Sequence, residues 1–410
     1  MALQHLHIFT GVSLWRIYLC CTAAHNTHFL PGKAGKHFKV CLLPYPCSDV
    51  FKVSRFIPRR SNVRASWFFS SNRDGLTEEL PSPRYNASVL SDLRMIALND
   101  YFTEKLGSLQ AVQDVIVLLK LWLHKRELDQ EYGAFSGFLI TAYVTYLLKN
   151  RKISTMMSSY QAMRYVLISL SQSDWTKEPI SLCSESQQNQ PTIEEFSENY
   201  PLVFIDPSGF LNLSAHTSVE AYLRVKYEAH LAITFLDSCS ADSFQAMFMT
   251  PVPFHRTFDL FVRLDESDIK SALDNLSLRS QLADTDGNKS HVASHAVCSI
   301  LRRGLNRRIS LLSARLTASP EWGLTVTPPE PKNSVDLGII LNTPECYNLV
   351  DKGPPANAPE ALEFRKFWGD RSDLRRFQDG SILEAVVWHA KMACEQRELV
   401  LSIVRNLLQQ

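Results

Sequence analysis

The sequence predicts an α+β multidomain protein, in which a helical domain is followed by a domain of mixed helices and strands. The chain has 410 residues, whereas a single domain usually holds about 100–200 residues. Apolar residues recur at helical spacing through much of the region 87–240, which predicts packed amphipathic helices. After residue 240, short alternating runs separated by Gly, Pro and Asp predict strands and turns.

We divide the chain into four segments: an atypical N-terminal segment (1–34), a short basic segment (35–78), the helical domain (79–238) and the α+β domain (239–410). The first 32 residues contain no Asp or Glu. Their apolar run, Ile8 to Leu19, is interrupted by Arg16 and is too short to span a bilayer. We interpret this segment as a partial or alternative start of a longer protein rather than as a signal peptide.

The elements of the first half can be read in chain order. The stretch HFKVCLLPYPCSDVFKVSRFIP predicts short strands cut by prolines, and Leu80–Asn86 (LPSPRYN) predicts a Pro-rich turn at a domain boundary. Helices are expected at Leu109–His124, Gly137–Leu148, Tyr160–Leu170 and Ser218–Asp237. The first of these is apolar on nearly all sides, as a buried central helix would be.

Two non-helical stretches interrupt the helical domain. The polar stretch Ser171–Glu198 is expected to be a long loop, and Pro201–Ala215 to be a strand, a turn and a re-entry. In the α+β domain we expect strands at Phe258–Leu264, Arg308–Leu316 and Ser334–Asn342, and helices at His291–Leu305 and Ala358–Trp368. The stretch Phe367–His389 predicts a hairpin that turns at Asp379-Gly380, because Asp-Gly between alternating runs is a strong hairpin signal.

Charge and cysteine content limit the class of protein. The net charge of +1 means that any attraction to nucleic acid must come from local patches. The nine cysteines form no Cys-x-x-Cys pair, which argues against a disulfide framework and for a reducing compartment.

The stretch LKLWLHKREL and the Gly/Ser turn after it resemble the second domain of poly(A) polymerases and oligoadenylate synthetases. In those enzymes this helical domain lies beside a nucleotidyltransferase domain and helps to hold nucleotide. The resemblance makes Lys120, Arg126 and Ser136 candidate nucleotide contacts, and VFIDPSGFLNLSA adds to the likeness. The competing interpretation, which we favour, is that Trp122 belongs to the core and that the aliphatic part of Lys120 packs along the protein surface with its ammonium in solvent.

An active enzyme of that superfamily needs a Gly-Ser turn followed by a strand with two carboxylates one residue apart, which hold two Mg²⁺ ions. The Gly-Ser pairs at 107–108 and 380–381 are followed by single carboxylates, Asp114 and Glu384. The pair Asp284 and Asp286 has the right spacing but no Gly-Ser before it. The sequence therefore predicts no catalysis.

A metal site has one weak candidate. His291, His295 and Cys298 share a helix face, but a zinc site needs further ligands from elsewhere and no His-Glu-x-x-His pattern is present. We expect no metal and no cofactor.

Clusters of cations are the stronger functional signal. Arginine beside aromatic residues suits phosphate contact and base stacking, so these clusters predict RNA binding. The competing interpretation is a solvated face, or charges favoured at helix C-termini. The candidate RNA contacts are Lys52, Arg55, Arg59, Arg60 and Arg64 in the first cluster, Arg302, Arg303, Arg307 and Arg308 in the second, and Arg375 and Arg376 in the third.

These motifs together resemble the nucleolar RNA-associated protein (Nrap) family. The matching stretches, in family order, are RFIPRRSNVR, PSPRYNASVLSDL, LKLWLHKREL with GAFSGF, YPLVFIDPSGFLNLSA and FWGDRSDLRRFQDGSILEAVVW. Family members are much longer and look like two copies of a module that joins nucleotidyltransferase-like, helical and RNA-recognition-like α+β domains. By that likeness, residues 35–78 are a remnant of a nucleotidyltransferase-like domain, and the rest of a longer protein is missing at both ends.

The resemblance implies a function as well as a fold. The family is regarded as a non-catalytic scaffold in the small-subunit processome, so the implied partners are pre-ribosomal RNA and other processome proteins. It implies a nuclear, nucleolar protein with no membrane association and no small-molecule substrate. Two other interpretations stay open: an RNA nucleotidyltransferase or its nucleotide-binding accessory subunit, and a protein-interaction module whose basic patches are incidental.

Overall fold

The structure is a computed structural model, which describes part of the chain. The described residues are 4–5, 15–22, 39–46, 51–63, 80–130, 133–184, 189–238, 242–265, 267–268, 289–316, 334–388 and 396–408, with the backbone alone given for 4–46 and 396–398. Two compact units emerge. The first comprises Met1–Thr257, Val262–Ser294 and Ser313–Leu337, and the second Phe258–Phe261, His295–Leu312 and Gly338–Gln410.

The first unit begins with an antiparallel sheet. Strands β1 (Gln4–His5), β2 (Trp15–Thr22) and β3 (Lys39–Pro46) pair in the order β1-β2-β3. The prediction of short strands was wrong here in two respects. Lys39–Pro46 is one continuous strand, and its prolines are accommodated because β3 lies at an edge of this sheet. Val53–Arg55 forms a turn of 3₁₀ helix instead of a strand.

Helices make up most of the rest of this unit. They are α1 (Pro83–Leu106), α2 (Gln110–Lys125), α3 (Gly137–Lys149) and α4 (Ser159–Gln172), followed later by α6 (Val219–Ser238). The expected turn at Leu80–Asn86 was wrong in part, because α1 already starts at Pro83. Proline is favoured in the first turn of a helix, where its missing N–H costs nothing.

Helix α2 buries one face rather than its whole circumference. Leu119, Trp122 and Leu123 are at most 1% exposed, whereas Val117 is 63% exposed. Each large apolar side chain buried in this way stabilises the fold by roughly 1.5–3 kcal/mol. Trp175 is also buried and stacks on Tyr222 of α6 with a centroid distance of 4.9 Å. Both rings belong to the same buried cluster as Trp122, so one core joins α2 and α6.

The stretch Ser171–Glu198 contains more structure than the expected loop. Strand β4 (Ile180–Ser181) pairs in parallel with β5 (Phe204–Ile205), and α5 spans Ile193–Asn199. The side chain of Thr192 caps α5 by accepting from the Glu195 N–H at 3.2 Å. The strand and re-entry expected at 201–215 are present, because Ile205 bridges to Asn212.

The remaining described elements are short helical turns, strands and helices. A π-helical turn spans Gln245–Met249 and a 3₁₀ turn Phe254–Arg256. Strands β6 (Leu260–Leu264), β7 (Ile309–Leu316) and β8 (Val335–Leu341) form a sheet in the order β6-β8-β7, and α7 spans Lys289–Leu305. These strands and this helix agree with the sequence expectations.

The second unit ends with an antiparallel sheet and two helices. The sheet has the order β10-β11-β9, from β9 (Val350–Pro355), β10 (Asp373–Arg376) and β11 (Ile382–Val387). Helices α8 (Glu360–Trp368) and α9 (Gln396–Leu408) complete the unit. The expected hairpin is present, and Gly380 takes a φ of +83° in its turn. Strand β9 and helix α9 were not expected from the sequence.

Candidate nucleic-acid interface

Residues 51–63, called here the basic loop, hold the described part of the first cationic cluster. Phe56 and Ile57 are buried, at 8% and 7% exposure. Lys52, Arg55 and the pair Arg59-Arg60 are exposed. The two apolar side chains therefore anchor the loop, and its cations face solvent. Arg64 lies outside the described residues.

Asn86 of α1 fixes the backbone of the basic loop. Its side-chain amide Nδ2 donates to the carbonyls of Ile57 at 3.0 Å and Arg60 at 2.8 Å. Its Oδ1 accepts from Asn62 Nδ2 at 2.8 Å and from Ser82 Oγ at 3.3 Å. Asn86 is 0% exposed, so a buried amide with all its hydrogen-bonding groups engaged sets the loop conformation.

The cations of the basic loop are only weakly neutralised. Arg59 Nε lies 3.7 Å from Glu195 Oε1, and the Arg59 side chain is 67% exposed. Exposed ion pairs of this kind contribute only about 0–1 kcal/mol. Within the described part of the chain, Lys52, Arg55 and Arg60 have no ion-pair partner. Among the described residues, Glu195 is therefore the one acid close to these cations, and the loop offers an exposed cationic cluster to an anionic ligand.

The second cluster, 302–308, behaves differently. Arg308 is 2% exposed. Its guanidinium donates to Asp351 Oδ1 at 2.9 and 3.1 Å and to the Cys346 carbonyl at 2.8 Å. This burial argues against the sequence assignment of Arg308 to an RNA surface, because its donors are already used inside the second unit.

The other arginines of this cluster are less buried. The Arg303 guanidinium lies over the Phe367 ring at 4.6 Å and donates to the Glu363 carbonyl at 3.1 Å. It is therefore tied to α8. Arg302 is half-buried, and Arg307 is exposed.

The third cluster lies on the edge strand β10. All four residues of β10 are exposed. Arg375 Nη2 approaches Asp373 Oδ2 at 3.7 Å across exposed surface, and Arg376 is opposite Ile382 of β11. Both arginines face solvent, but an acidic neighbour partly offsets Arg375.

The residues proposed from the polymerase resemblance have structural contacts. Ser136 caps α3 by accepting from the Leu139 N–H at 3.1 Å. The Lys120 stem lies against Gly137, where a Cβ would be only 3.3 Å from the lysine Cγ. Each side chain therefore has a local role in the helical core that needs no nucleotide.

Arg126 is largely buried in the same core. Its Nη1 donates to the Met247 carbonyl at 2.7 Å, and its Nε lies 3.3 Å from Glu228 Oε2. Burial lowers the pKa of Arg126 and raises the pKa of Glu228, and the attraction between the two opposes both shifts. The pair is thus a buried structural ion pair.

Two of the carboxylates considered for catalysis lie in the described part of the chain. Asp114 lies within α2 and accepts from Gln110 Nε2 at 2.8 Å. Glu384 is buried and binds Arg365 Nε at 3.1 Å and Ser372 Oγ at 2.8 Å. Asp284 and Asp286 lie outside the described residues.

A metal centre was also considered. Among the residues that the structure describes, no group of three or more His, Cys, Asp or Glu side chains could hold a metal ion. His291 and Cys298 are buried in α7. Within the same part of the chain, no helix is both long and apolar enough to cross a membrane.

Sequence reasoning missed Asn86 as the residue that organises the candidate interface. The available signal was an amide in the first turn of a helix, beside apolar residues that face the core. Its partners Asn62 and Ile57 are 24 and 29 positions away in the sequence, so no local pattern reveals them.

Models of the Nrap family match nearly the whole chain. Nrap protein domain 1 matches residues 17–107, the Nrap protein PAP/OAS-like domain matches 111–251, and Nrap protein domain 3 matches 254–410. The PAP/OAS-like match confirms the expected helical domain within an α+β protein.

Curated relatives and solved structures were also compared. Nucleolar protein 6 of Mus musculus is 39% identical over 92% of this chain, and that of Homo sapiens 37% identical over 95%. The matches cover 33% and 35% of those proteins, so the chain spans about a third of their length. The Cid1 poly(U) polymerase structure aligns at TM-score 0.31 and 14% identity, over 39% of this chain and 61% of that chain. Through its three family domains, this chain belongs to the Nrap family.

Proposed function

We propose that the chain is a non-catalytic RNA- and protein-binding scaffold of the nucleolus that acts in pre-ribosomal RNA processing within the small-subunit processome. Its partners would be pre-ribosomal RNA and other processome proteins. The observation that carries the RNA role is the basic loop, where Asn86 presents Lys52, Arg55, Arg59 and Arg60 to solvent. The nucleolar setting rests on the relatives named Nucleolar protein 6.

The basic loop suits a phosphate backbone for physical reasons. A nucleic-acid strand carries closely spaced negative charges, and cations that replace its condensed counterions gain binding free energy. Exposed arginines on an ordered backbone provide such contacts in a fixed arrangement. We assign Lys52, Arg55, Arg59 and Arg60 as the main RNA contacts, and Arg375, Arg376 and Arg307 as secondary ones.

The nucleotidyltransferase alternative has less support. Lys120, Arg126 and Ser136 have contacts within the helical core that explain them without a nucleotide. Asp114 lies on a helix and accepts from Gln110, and Glu384 is bound by Arg365 and Ser372, so each carboxylate has a local partner. We therefore keep the scaffold as the proposal, with residues 35–78 as a nucleotidyltransferase-like remnant, 79–238 as the helical domain and 239–410 as the α+β domain.

A charge-matched pair of variants tests the RNA role. The first replaces Arg55, Arg59 and Arg60 with Gln. The control replaces Lys177, Arg256 and Lys366 with Gln, because these exposed cations lie away from the basic loop in sequence. The affinity for single-stranded pre-ribosomal RNA is measured by fluorescence anisotropy as a function of salt concentration.

Three lost phosphate contacts should reduce the slope of log affinity against log salt by about 2 for a single strand. The control should keep the wild-type slope. Equal losses in both variants would mean non-specific attraction and would sink the assignment of the loop. Crosslinking of the tagged chain to RNA in cells then tests the biological partner, because the proposal requires reads concentrated in pre-ribosomal RNA.

A further inference from the structure

The helical part of the first unit contains a cleft away from the residues discussed so far. Its volume is about 460 Å³, which is within the range of small-molecule sites. Tyr101 and Lys105 of α1 line one side, and Lys149 of α3 lines another. Leu182 and Ser184, which follow β4, line a further part of the wall.

Two lysines converge on this cleft. Lys149 donates its Nζ to the Leu182 carbonyl, which holds the ammonium at the wall. Partial burial lowers the pKa of Lys149, Cys183 opposes this shift, and Lys105 lowers the pKa further by repulsion. Lys105 has one exposed acidic neighbour, Glu104, at 2.8 Å. Two like charges near one cavity are stabilised by an anion between them.

The chain after α3 adds to the positive potential. Arg151 and Lys152 follow Lys149 within three residues and are exposed. They add two exposed cations to the chain that follows the cleft residue Lys149.

The cleft also offers an aromatic surface. The Tyr101 ring packs edge-on against Phe102, with a centroid distance of 5.5 Å, and Lys105 Nζ lies 5.8 Å from the Tyr101 ring centroid. Because every nucleobase has a π-face, an aromatic side chain beside a cation can hold a base next to its phosphate. Leu182 supplies apolar wall, and Ser184 supplies a hydroxyl.

We propose that this cleft binds a single nucleotide unit, with its phosphate between Lys105 and Lys149 and its base against Tyr101. The nucleotide could come from an RNA strand, with one base turned into the cleft, or from a free nucleotide. The RNA source rests on the proposed function, whereas the free-nucleotide source does not. Neither uses Lys120, Arg126 or Ser136.

Two variants with matched controls address the site. Lys105→Gln removes one ammonium, and Lys177→Gln removes another exposed lysine, which is likewise paired with an acid, Asp174 at 3.4 Å. Ser184→Trp fills the cleft from its exposed rim, and Thr234→Trp places the same bulk on the exposed face of α6. These positions are on the surface, so the variants are expected to fold.

Hydrogen–deuterium exchange of the full chain is then measured with uridine monophosphate alone and with a single-stranded oligouridylate. Peptides that cover the ends of α1 and α3 report on the cleft, and peptides over 51–63 report on the basic loop. We expect ligand-dependent protection at the cleft. Lys105→Gln should weaken the apparent affinity by roughly fivefold and Ser184→Trp by more than about tenfold, with both controls like the wild type.

The outcomes separate the two proposals. Protection of the cleft by the oligonucleotide supports the RNA source, and protection by the mononucleotide alone supports the free-nucleotide source. Protection of the basic loop without the cleft overturns this inference and leaves the proposed function standing. With the oligonucleotide, protection of the cleft without the basic loop overturns the assignment of the loop as the main RNA contact and leaves this inference standing. Cleft protection that persists unchanged in both Lys105→Gln and Ser184→Trp also overturns the inference.

Discussion

The basic loop and the cluster at 302–308 are alike in sequence, since each has paired arginines close to further cations. In the structure they differ in what engages the guanidinium groups. Arg59 and Arg60 face solvent, and the carbonyl of Arg60 accepts a hydrogen bond from the buried side chain of Asn86. Arg308 instead points inward to Asp351, and Arg303 lies on Phe367. Two similar arginine clusters therefore have different roles, one as a cationic surface and one largely as a set of internal contacts.

This difference shows what an arginine cluster means physically. An arginine is a candidate phosphate contact when its guanidinium is exposed and at most weakly paired with an acid at the surface. The same side chain becomes a structural element when a carboxylate and a carbonyl accept from it inside the protein. The following predictions test the distinction, first through stability and then through affinity.

The largest expected effect is on Arg308. Replacing it with Met removes the donors to Asp351 and to the Cys346 carbonyl, and we expect a loss of about 3 kcal/mol in the free energy of unfolding. Urea unfolding measures this loss, with exposed Arg307→Met as the control. Wild-type stability together with weakened RNA binding in Arg308→Met would mean that Arg308 contacts RNA, as the cations of the basic loop are proposed to do. The proposed difference between the two clusters would then be wrong.

Asn86→Ala should affect stability and binding together. The carbonyls of Ile57 and Arg60 lose their donor, which should cost about 2 kcal/mol of stability. RNA affinity should fall although no charge is removed, because the cations are no longer held in one arrangement. Thermal unfolding and anisotropy are compared with Asn99→Ala, another amide on α1. Unchanged affinity in a folded Asn86→Ala protein would mean that loop order is irrelevant to binding.

The third cluster provides a smaller, intermediate case. Arg375 and Arg376 are exposed on β10, so their joint replacement by Gln should leave stability within about 0.5 kcal/mol. Because we assign both as secondary RNA contacts, the double replacement should reduce the slope of log affinity against log salt by about 1–1.5. An unchanged slope would exclude the third cluster from the RNA surface.

The smallest effect is expected for Arg303→Gln. The Arg303 contacts with Phe367 and Glu363 lie on exposed surface, so stability should fall by only about 0.5–1 kcal/mol. RNA affinity should stay at the wild-type value, measured by anisotropy beside Arg307→Gln. A larger loss of affinity for Arg303→Gln than for Arg307→Gln would contradict its structural role.

The sequence predicted helices α2, α3, α4 and α6 and the run of cations at 52–60, but neither helix α1 nor the contacts that distinguish the clusters. Helix α6 was found because its apolar residues recur every three or four positions, and α2 because a long stretch is apolar on nearly all sides. Helix α5 was missed because it has seven residues within a polar stretch. Arg308 meets Asp351 across 43 positions of the chain, so its burial depends on tertiary packing that no local pattern contains.

The hydrogen bonds of Asn86 have a consequence for the speed of recognition. A loop whose backbone is ordered before the encounter gives up little conformational entropy when it docks. Its association with a polyanion can then proceed without a slow rearrangement, and long-range attraction can raise the encounter rate. Differences in affinity between RNA strands are therefore expected mainly in the dissociation rates of the complexes.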